Sequence, residues 1–264
     1  MPDSHDRSEA EGDQDILPGR RAVLEALRAG RPLRKVLLTR AAHGGTIRAI
    51  LQEAKQHDIF VQFVDERRLD HLAQGAHHQG AIALTSAKSL VSVDEILASA
   101  RHRNQAPFVL VVEGVEDPAN LGALIRTADG AGVHGIIIPR HRAVGLTPTV
   151  ARTSAGALEH LPVAQVTNIS RALDALKDAR LWVVGADPAA STVHYDMRLL
   201  PPVALVLGGE GRGLSRLVRE RCDALVRLPM RGRLSSLNVS VAGGILLYEV
   251  VRQLHTQSTV EAPP

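Results

Sequence analysis

The sequence predicts two α/β domains in tandem, the second built on a parallel sheet. Three observations carry this. Short, continuous apolar runs recur between residues 107 and 254, as in strands buried on both faces. Stretches with apolar residues at three- and four-residue spacing separate them, as in helices that cover such a sheet. Ahead of them, residues 16–87 repeat the alternation on a smaller scale, and the polar run Arg101 to Gln105 lies between the two.

In the smaller domain, Val23, Leu24 and Leu27 make an amphipathic helix that Gly30 and Pro32 end. Residues 35–39 read as a strand. Ile47, Ile50, Leu51 and Ala54 restore the helical period, and residues 59–64 read as a strand. A short helix over 69–74 and a strand over 81–85 complete it. Residues 88–106, with one amphipathic helix at Val93, Ile96 and Leu97, read as a linker. In the larger domain, 107–255, strands are expected at 108–113, 135–138, 181–185, 203–208 and 224–228. Helices are expected at 118–131, 147–158, 169–179, 214–221 and 239–254. Residues 1–15 read as a disordered acidic tail and 256–264 as a loose end.

The chain has 264 residues, 45% of them apolar and 22% charged, which supports a packed core. Its formal charge is +3, but the first 15 residues carry six acids against Arg7, so the remainder is distinctly basic. A basic body favours a polyanionic partner. One cysteine, Cys222, rules out an internal disulfide framework and a cysteine-built metal site. No apolar run approaches the ~20 residues that cross a bilayer, and the acidic start is unlike a leader peptide, so a cytosolic protein is expected. Aromatic residues are 2%, which argues against an aromatic platform for stacked bases.

Three stretches could carry chemistry. In the first, Asp117 is a good N-cap and Pro118 a good first helical residue. Leu121, Leu124, Ile125 and Ala128 make the buried stripe of that helix, so Arg126 points away from the core and Asn120 sits in the first turn, next to a strand end. In the second, residues 207–213, glycines directly after a strand let the backbone approach a ligand. Their spacing imitates a dinucleotide fingerprint, but such a loop opens its domain and too few residues follow Gly213. Glu210 stands inside it. In the third, residues 228–240, a serine can cap the final helix. Capping does not account for Ser235, Ser236, Asn238 and Ser240 together. That final helix is apolar on nearly every side, which suggests burial against the sheet and against a partner subunit, with Gly243 and Gly244 allowing close approach. The histidine pair in residues 75–80 lacks the spacing of a metal site, and no metal is expected. It reads as a turn that could touch RNA.

These three stretches resemble the SpoU (TrmH) family of RNA ribose 2′-O-methyltransferases, of the SPOUT superfamily. The motifs match at Asn120, Gly122, Arg126 and Ala128; at Gly208, Glu210, Gly211 and Gly213; and at Pro229, Ser236, Leu237, Asn238 and Ser240. Residues 19–23 and the triplet His78, Gln79 and Gly80 add a closer likeness to members that methylate a guanosine of 23S rRNA.

The resemblance implies a trefoil-knotted SPOUT sheet behind a small RNA-binding domain, S-adenosylmethionine as cofactor, RNA as partner and a homodimer formed through the C-terminal domain. Gly208, Leu228 and Leu237 match positions whose backbone contacts the cofactor, with Leu207, Gly209 and Met230 beside them. Arg126 matches the arginine assigned to deprotonating the ribose. A guanidinium is a weak base, so stabilising the developing alkoxide suits it better. Glu210 could hold Arg126, and Asn120, Ser236 and Asn238 could position the ribose and the loops. Arg20, Arg21, Arg34, Lys35 and Arg40 would grip phosphates, with His78 beside them. Arg231 and Arg233 would add an RNA contact or face water. The alternatives are a tRNA substrate, an rRNA site whose methylation confers resistance, or a catalytically silent RNA binder.

Overall fold

The computed structural model describes residues 15–31, 33–73, 75–85 and 89–261. It divides into two compact units that part between Lys88 and Ser89. The acidic tail expected over 1–15 lies outside the described residues except for Asp15, which opens a strand.

The first unit runs β1 (Asp15–Pro18), α1 (Arg20–Arg28), β2 (Leu33–Thr39), α2 (Gly45–Gln56), β3 (Val61–Val64), α3 (Glu66–Ala73) and β4 (Ala81–Thr85). The sheet order is β1-β4-β2-β3, with β2 and β3 parallel and the other pairs antiparallel. β1 was not expected from the sequence, because its four residues show no alternation. It lies at the sheet edge, where Pro18 costs no ladder hydrogen bond. Leu37, Val64, Leu69, Ala73, Ile82 and Leu84 form one core cluster, and α1 buries Ala22, Val23, Leu24, Ala26 and Leu27.

The second unit runs α4 (Val93–His102), β5 (Phe108–Glu113), α5 (Pro118–Gly130), β6 (Gly135–Pro139), α6 (Pro148–Thr153), α7 (Ala157–His160) and β7 (Val163–Val166). It continues with α8 (Ile169–Asp178), β8 (Trp182–Ala186), β9 (Thr192–Val193), β10 (Val203–Gly208), α9 (Arg216–Arg221), β11 (Ala224–Arg227) and α10 (Val239–Glu261). Its seven strands pair in parallel throughout, in the order β7-β6-β5-β10-β8-β11-β9. Five of the strands were legible as apolar runs. β7 and β9 were not, since one is four residues with a glutamine and the other only two.

Three expectations need correction. Residues 89–106 are no linker: Ile96 and Leu97 are buried in the larger core beside Val109 and Ile137, and Val91 N–H donates to Val163 O at 3.0 Å. The helix expected over 147–158 is two, because Ala155 (φ 52°) and Gly156 (φ 97°) both take left-handed backbone and stop the first. The final helix does not end at residue 254 but continues to Glu261, taking in most of the expected loose end; residues 262–264 lie outside the described residues.

Strand order positions the site. The chain lays β5, β6 and β7 side by side in sequence, then crosses back so that β8 leaves room for β10 next to β5. Loops from the carboxyl ends of β5 and β10 therefore diverge at a switch point, the usual place for a ligand in an open α/β sheet.

Candidate active site

The first and second motifs leave adjacent strands. After β5, Asp117 caps α5 by accepting from Ala119 N–H at 2.8 Å, and Pro118 begins the helix. After β10 the chain turns through Gly208 to Gly213, where Gly213 N–H donates to Gly209 O at 3.1 Å. This turn lies against the chain's own backbone. A Cβ at Gly209 would sit 1.9 Å from Gly114 O, and one at Gly208 would sit 2.1 Å from Gly213 C. The glycines are thus required by close backbone packing, of Gly209 against the end of β5 and of Gly208 within its own loop, not only by approach to a ligand.

The third motif closes on the first. Asn238 Oδ1 accepts from Ser240 N–H at 2.9 Å and from Val241 N–H at 3.4 Å, so Asn238, rather than a serine, caps α10. Its Nδ2 donates to Asn120 Oδ1 at 3.0 Å, across 118 residues of sequence. Asn120 Nδ2 in turn donates to Glu210 Oε1. Ser240 Oγ donates to Asn238 Oδ1 at 2.6 Å. One hydrogen-bonded line therefore runs Ser240–Asn238–Asn120–Glu210 and ties all three motifs together. Ser240 was legible as a motif residue, but its hydroxyl was not assigned a part in the site.

Two residues stand apart from this line. Arg126 is exposed and makes no hydrogen bond or ion pair among the described residues. It lies six residues beyond Asn120 on α5, about 9 Å along the helix and ~120° around it. The expected Glu210–Arg126 contact is absent, because Glu210 bonds Asn120 instead. Ser236 is exposed on the loop before α10 and makes no side-chain hydrogen bond among the described residues.

Of the residues expected at a cofactor, Leu228 and Met230 are half-buried just beyond β11, and Leu237 is 40% exposed, a large apolar side chain with little of its own chain over it. Gly208 and Gly209 offer main chain without side chains at the end of β10. Leu207 is different: its side chain is 1% exposed and points at α10, where a Cβ on Gly243 would lie 2.7 Å from its Cδ1. Its side chain is closed to a ligand, and its main chain runs in the β10 ladder opposite Val112 of β5. Gly243 thus serves packing inside this unit, while Gly244 is half-buried and a Cβ there would meet only Thr127 Cγ2, at an ordinary 3.7 Å. Apolar side chains beside bare main chain suit a nucleoside-bearing cofactor, whose base edge needs main-chain hydrogen bonds and whose faces need apolar cover. Arg231 and Arg233 are exposed, as are Leu234 and both serines of the same loop.

In the first unit, Arg21, Arg34 and Arg40 are exposed and Lys35 is half-buried. Arg34 sits where the β2–β4 register shifts between Leu33 and Lys35. Two residues expected at RNA make bonds within the unit. Arg20 donates from Nε to Gln79 O at 2.6 Å and from Nη1 to His43 O at 3.1 Å. His78 is buried, with Nε2 2.9 Å from Asp70 Oδ1 and Nδ1 accepting from Gly80 N–H at 3.0 Å, so neither ring nitrogen is left for RNA.

Among the described residues no group of three or more His, Cys, Asp or Glu side chains could hold a metal ion, and no helix is long and apolar enough to cross a membrane. Cys222 is a half-buried thiol: desolvation, with Asp223 beside it, pushes its pKa up to about 12, which suits packing and not nucleophilic chemistry.

Comparison with known proteins agrees with this geometry. Residues 107–248 match the SpoU rRNA Methylase family, and residues 16–91 match the family described as RNA 2′-O ribose methyltransferase substrate binding. The protein YacO of Bacillus subtilis (strain 168), assigned to the TrmH family of tRNA/rRNA methyltransferases, is 44% identical over 239 residues, covering 90% of this chain and 96% of YacO. A crystal structure of an RNA 2′-O ribose methyltransferase shares 30% identity with a TM-score of 0.74, covering 91% of this chain and 88% of that one. The SpoU methyltransferase AviRb from Streptomyces viridochromogenes, in complex with the cofactor AdoMet, shares 27% identity with a TM-score of 0.75, covering 91% of this chain and 90% of AviRb.

Proposed function

The chain belongs to the SpoU rRNA methylase family of RNA 2′-O-ribose methyltransferases, and from that premise we propose that its substrate is ribosomal RNA, most narrowly a guanosine of 23S rRNA as in the RlmB enzymes. What carries the reading is the line Ser240–Asn238–Asn120–Glu210, which joins the three motifs at the switch point of the sheet. The family uses S-adenosylmethionine, which supplies an electrophilic methyl group on a sulfonium when bound. In this chain Leu228, Met230 and Leu237 would cover its apolar faces, and the main chain of Leu207, Gly208 and Gly209 would meet its polar edges.

The remaining chemistry belongs to the protein. A ribose 2′-hydroxyl is a poor nucleophile until its proton departs, and Arg126, exposed and unpaired, stabilises the developing alkoxide and orients the neighbouring phosphate. Asn120 and Asn238, held by each other and by Glu210, keep the motif loops in one arrangement, with Ser236 on the rim for the ribose. Fixed geometry of this kind accounts for large effective molarities. Since Arg126 stands off from this line within one chain, a homodimer through the C-terminal unit is part of the reading. The exposed stripe Val241, Ile245 and Tyr248 on α10 supports it, at a spacing that keeps one helical face. The trefoil knot and a cytoplasmic location complete the reading by family likeness.

Mass-spectrometric mapping of 2′-O-methylated nucleotides in RNA from cells with and without this protein tests it. Loss of one guanosine mark in 23S rRNA is expected. Loss of a tRNA mark instead would move the substrate to tRNA, and no lost mark in either RNA would refute the proposal.

A further inference from the structure

The turn that joins α3 to β4 borders an open cavity of about 550 Å³ within the first unit, a size typical of small-molecule sites, which run ~300–1,000 Å³. Its walls mix polar side chains with the apolar surface of Ala41, Ala42 and Ala76. Glu66 and Gln79 are exposed on its lining, and neither side chain has a partner among the described residues. Asp70, also on the lining, uses Oδ1 for His78.

Gln79 is placed there at a cost. Its φ is 51°, left-handed backbone that a residue with a Cβ adopts only when its surroundings demand it. The surroundings do: Arg20 Nε holds Gln79 O at 2.6 Å, Gly80 N–H is bound by His78 Nδ1 at 3.0 Å, and Ala81 N–H donates to His78 O at 2.9 Å. Gly80 itself has φ 79°, and a Cβ on it would lie 2.8 Å from Thr39 Oγ1. The bonded turn thus places an unpartnered amide on a recess that also carries two carboxylates, Glu66 and Asp70.

This chemistry discriminates among parts of an RNA. A phosphate is repelled by Glu66 and Asp70, and among the described residues the one guanidinium on the lining, that of Arg20, has two of its three nitrogens bonded to main-chain carbonyls. A base edge is welcomed, because carboxylates accept from exocyclic amino groups and a primary amide can both donate and accept. We propose that this recess takes an unpaired RNA base carrying an exocyclic amino group, read by Gln79 and Glu66. The inference rests on the RNA-methylating reading above and deepens it: the first unit would read a base as well as bind backbone.

The test uses the full chain without cofactor, so it is independent of methyl transfer. Binding of 12-nucleotide oligo(C), oligo(A) and oligo(U) is followed by fluorescence anisotropy over a salt series. The wild type should bind oligo(C) or oligo(A) at least about fivefold more tightly than oligo(U), the worth of one added hydrogen bond. Gln79→Gly, which relaxes the backbone while removing the amide, and Glu66→Gln should each shrink that ratio without changing the log–log salt slope. Equal affinities in the wild type, or a preference that survives both substitutions, would overturn the proposal. So would a salt slope that changes with them, which would assign the recess to phosphate. Failure of the proposed function, with no rRNA or tRNA mark lost when the protein is absent, would by contrast leave this base preference measurable.

Discussion

Asn238 Nδ2 reaches Asn120 Oδ1 at 3.0 Å, joining the cap of the last helix to the first turn of the helix that follows β5. The same Asn238 turns its Oδ1 to Ser240 and Val241 N–H, so one side chain both starts α10 and closes the site.

These two duties can be separated. Asn238→Asp keeps the acceptor that caps α10 and removes the donor to Asn120. Its thermal stability should stay close to wild type, since aspartate caps as well as asparagine. Its methyl-transfer turnover should fall by ~10²-fold, the scale of losing a positioned polar group. Asn238→Ala should lose turnover and also about 1 kcal/mol of stability. Calorimetry and single-turnover methylation of rRNA read the two effects, and full turnover in Asn238→Asp would remove the Asn120 bond from the mechanism.

Arg126 offers the opposite case. It is exposed and unpaired, so Arg126→Ala should change stability by less than about 0.5 kcal/mol. Turnover should nevertheless fall ~10²-fold or more, with RNA affinity largely kept. Lys at this position restores charge without the planar fork and should recover only part of the rate. An alanine variant with wild-type turnover would exclude Arg126 from the chemistry.

Much of this site was legible in the sequence because helix caps and strand ends are local. Asp117 and Pro118 marked the start of α5, and the 3.6-residue period placed Arg126 on its outer face. What local pattern could not show was partnership. That Glu210 would bond Asn120 rather than Arg126 depends on two loops 90 residues apart meeting at adjacent strands, and strand order is not written in periodicity. The same limit explains Arg20 and His78. As residue types they suggest RNA contact, but Arg20 bonds the turn's Gln79 carbonyl, and His78 bonds the turn's Gly80 amide and the Asp70 carboxylate of α3. The glycines at 208 and 209 suggested an approach to ligand, and the approach they also permit is to Gly114 and Gly213 of the same chain.

The domain boundary has a direct consequence for truncation. A chain starting at Ser89 keeps Val91 against β7 and Ile96 and Leu97 in the core. It should fold, retain S-adenosylmethionine affinity and lose most rRNA methylation. A chain starting at Pro107 loses two large buried side chains, each worth about 1.5–3 kcal/mol. It should melt markedly lower or fail to fold. Equal melting temperatures for the two truncations would return residues 89–106 to the role of a linker.

Stability of the second unit should also depend on acid through Glu249. This carboxylate is 8% exposed on α10 and accepts from Arg252 Nε at 2.9 Å and Nη2 at 2.7 Å, and from Gln253 Nε2 at 2.7 Å. Arg252 is the chief reason its pKa lies below the ordinary 4.5; burial opposes this, while Gln253 and the charges of Arg252 and His194 add to the lowering. A folded-state pKa below the unfolded value means that the unfolded chain binds the proton first as pH falls. The contribution of Glu249 is therefore complete above the ordinary carboxylate range and is lost as pH drops through the folded value. Glu249→Gln should lower stability at neutral pH by about 1–3 kcal/mol, and the deficit should shrink below pH ~4 as the wild type loses the same charge. Urea unfolding of both proteins between neutral pH and pH ~3 measures it; a deficit that stays constant over that range would show that the charge of Glu249 contributes nothing and that only its packing matters.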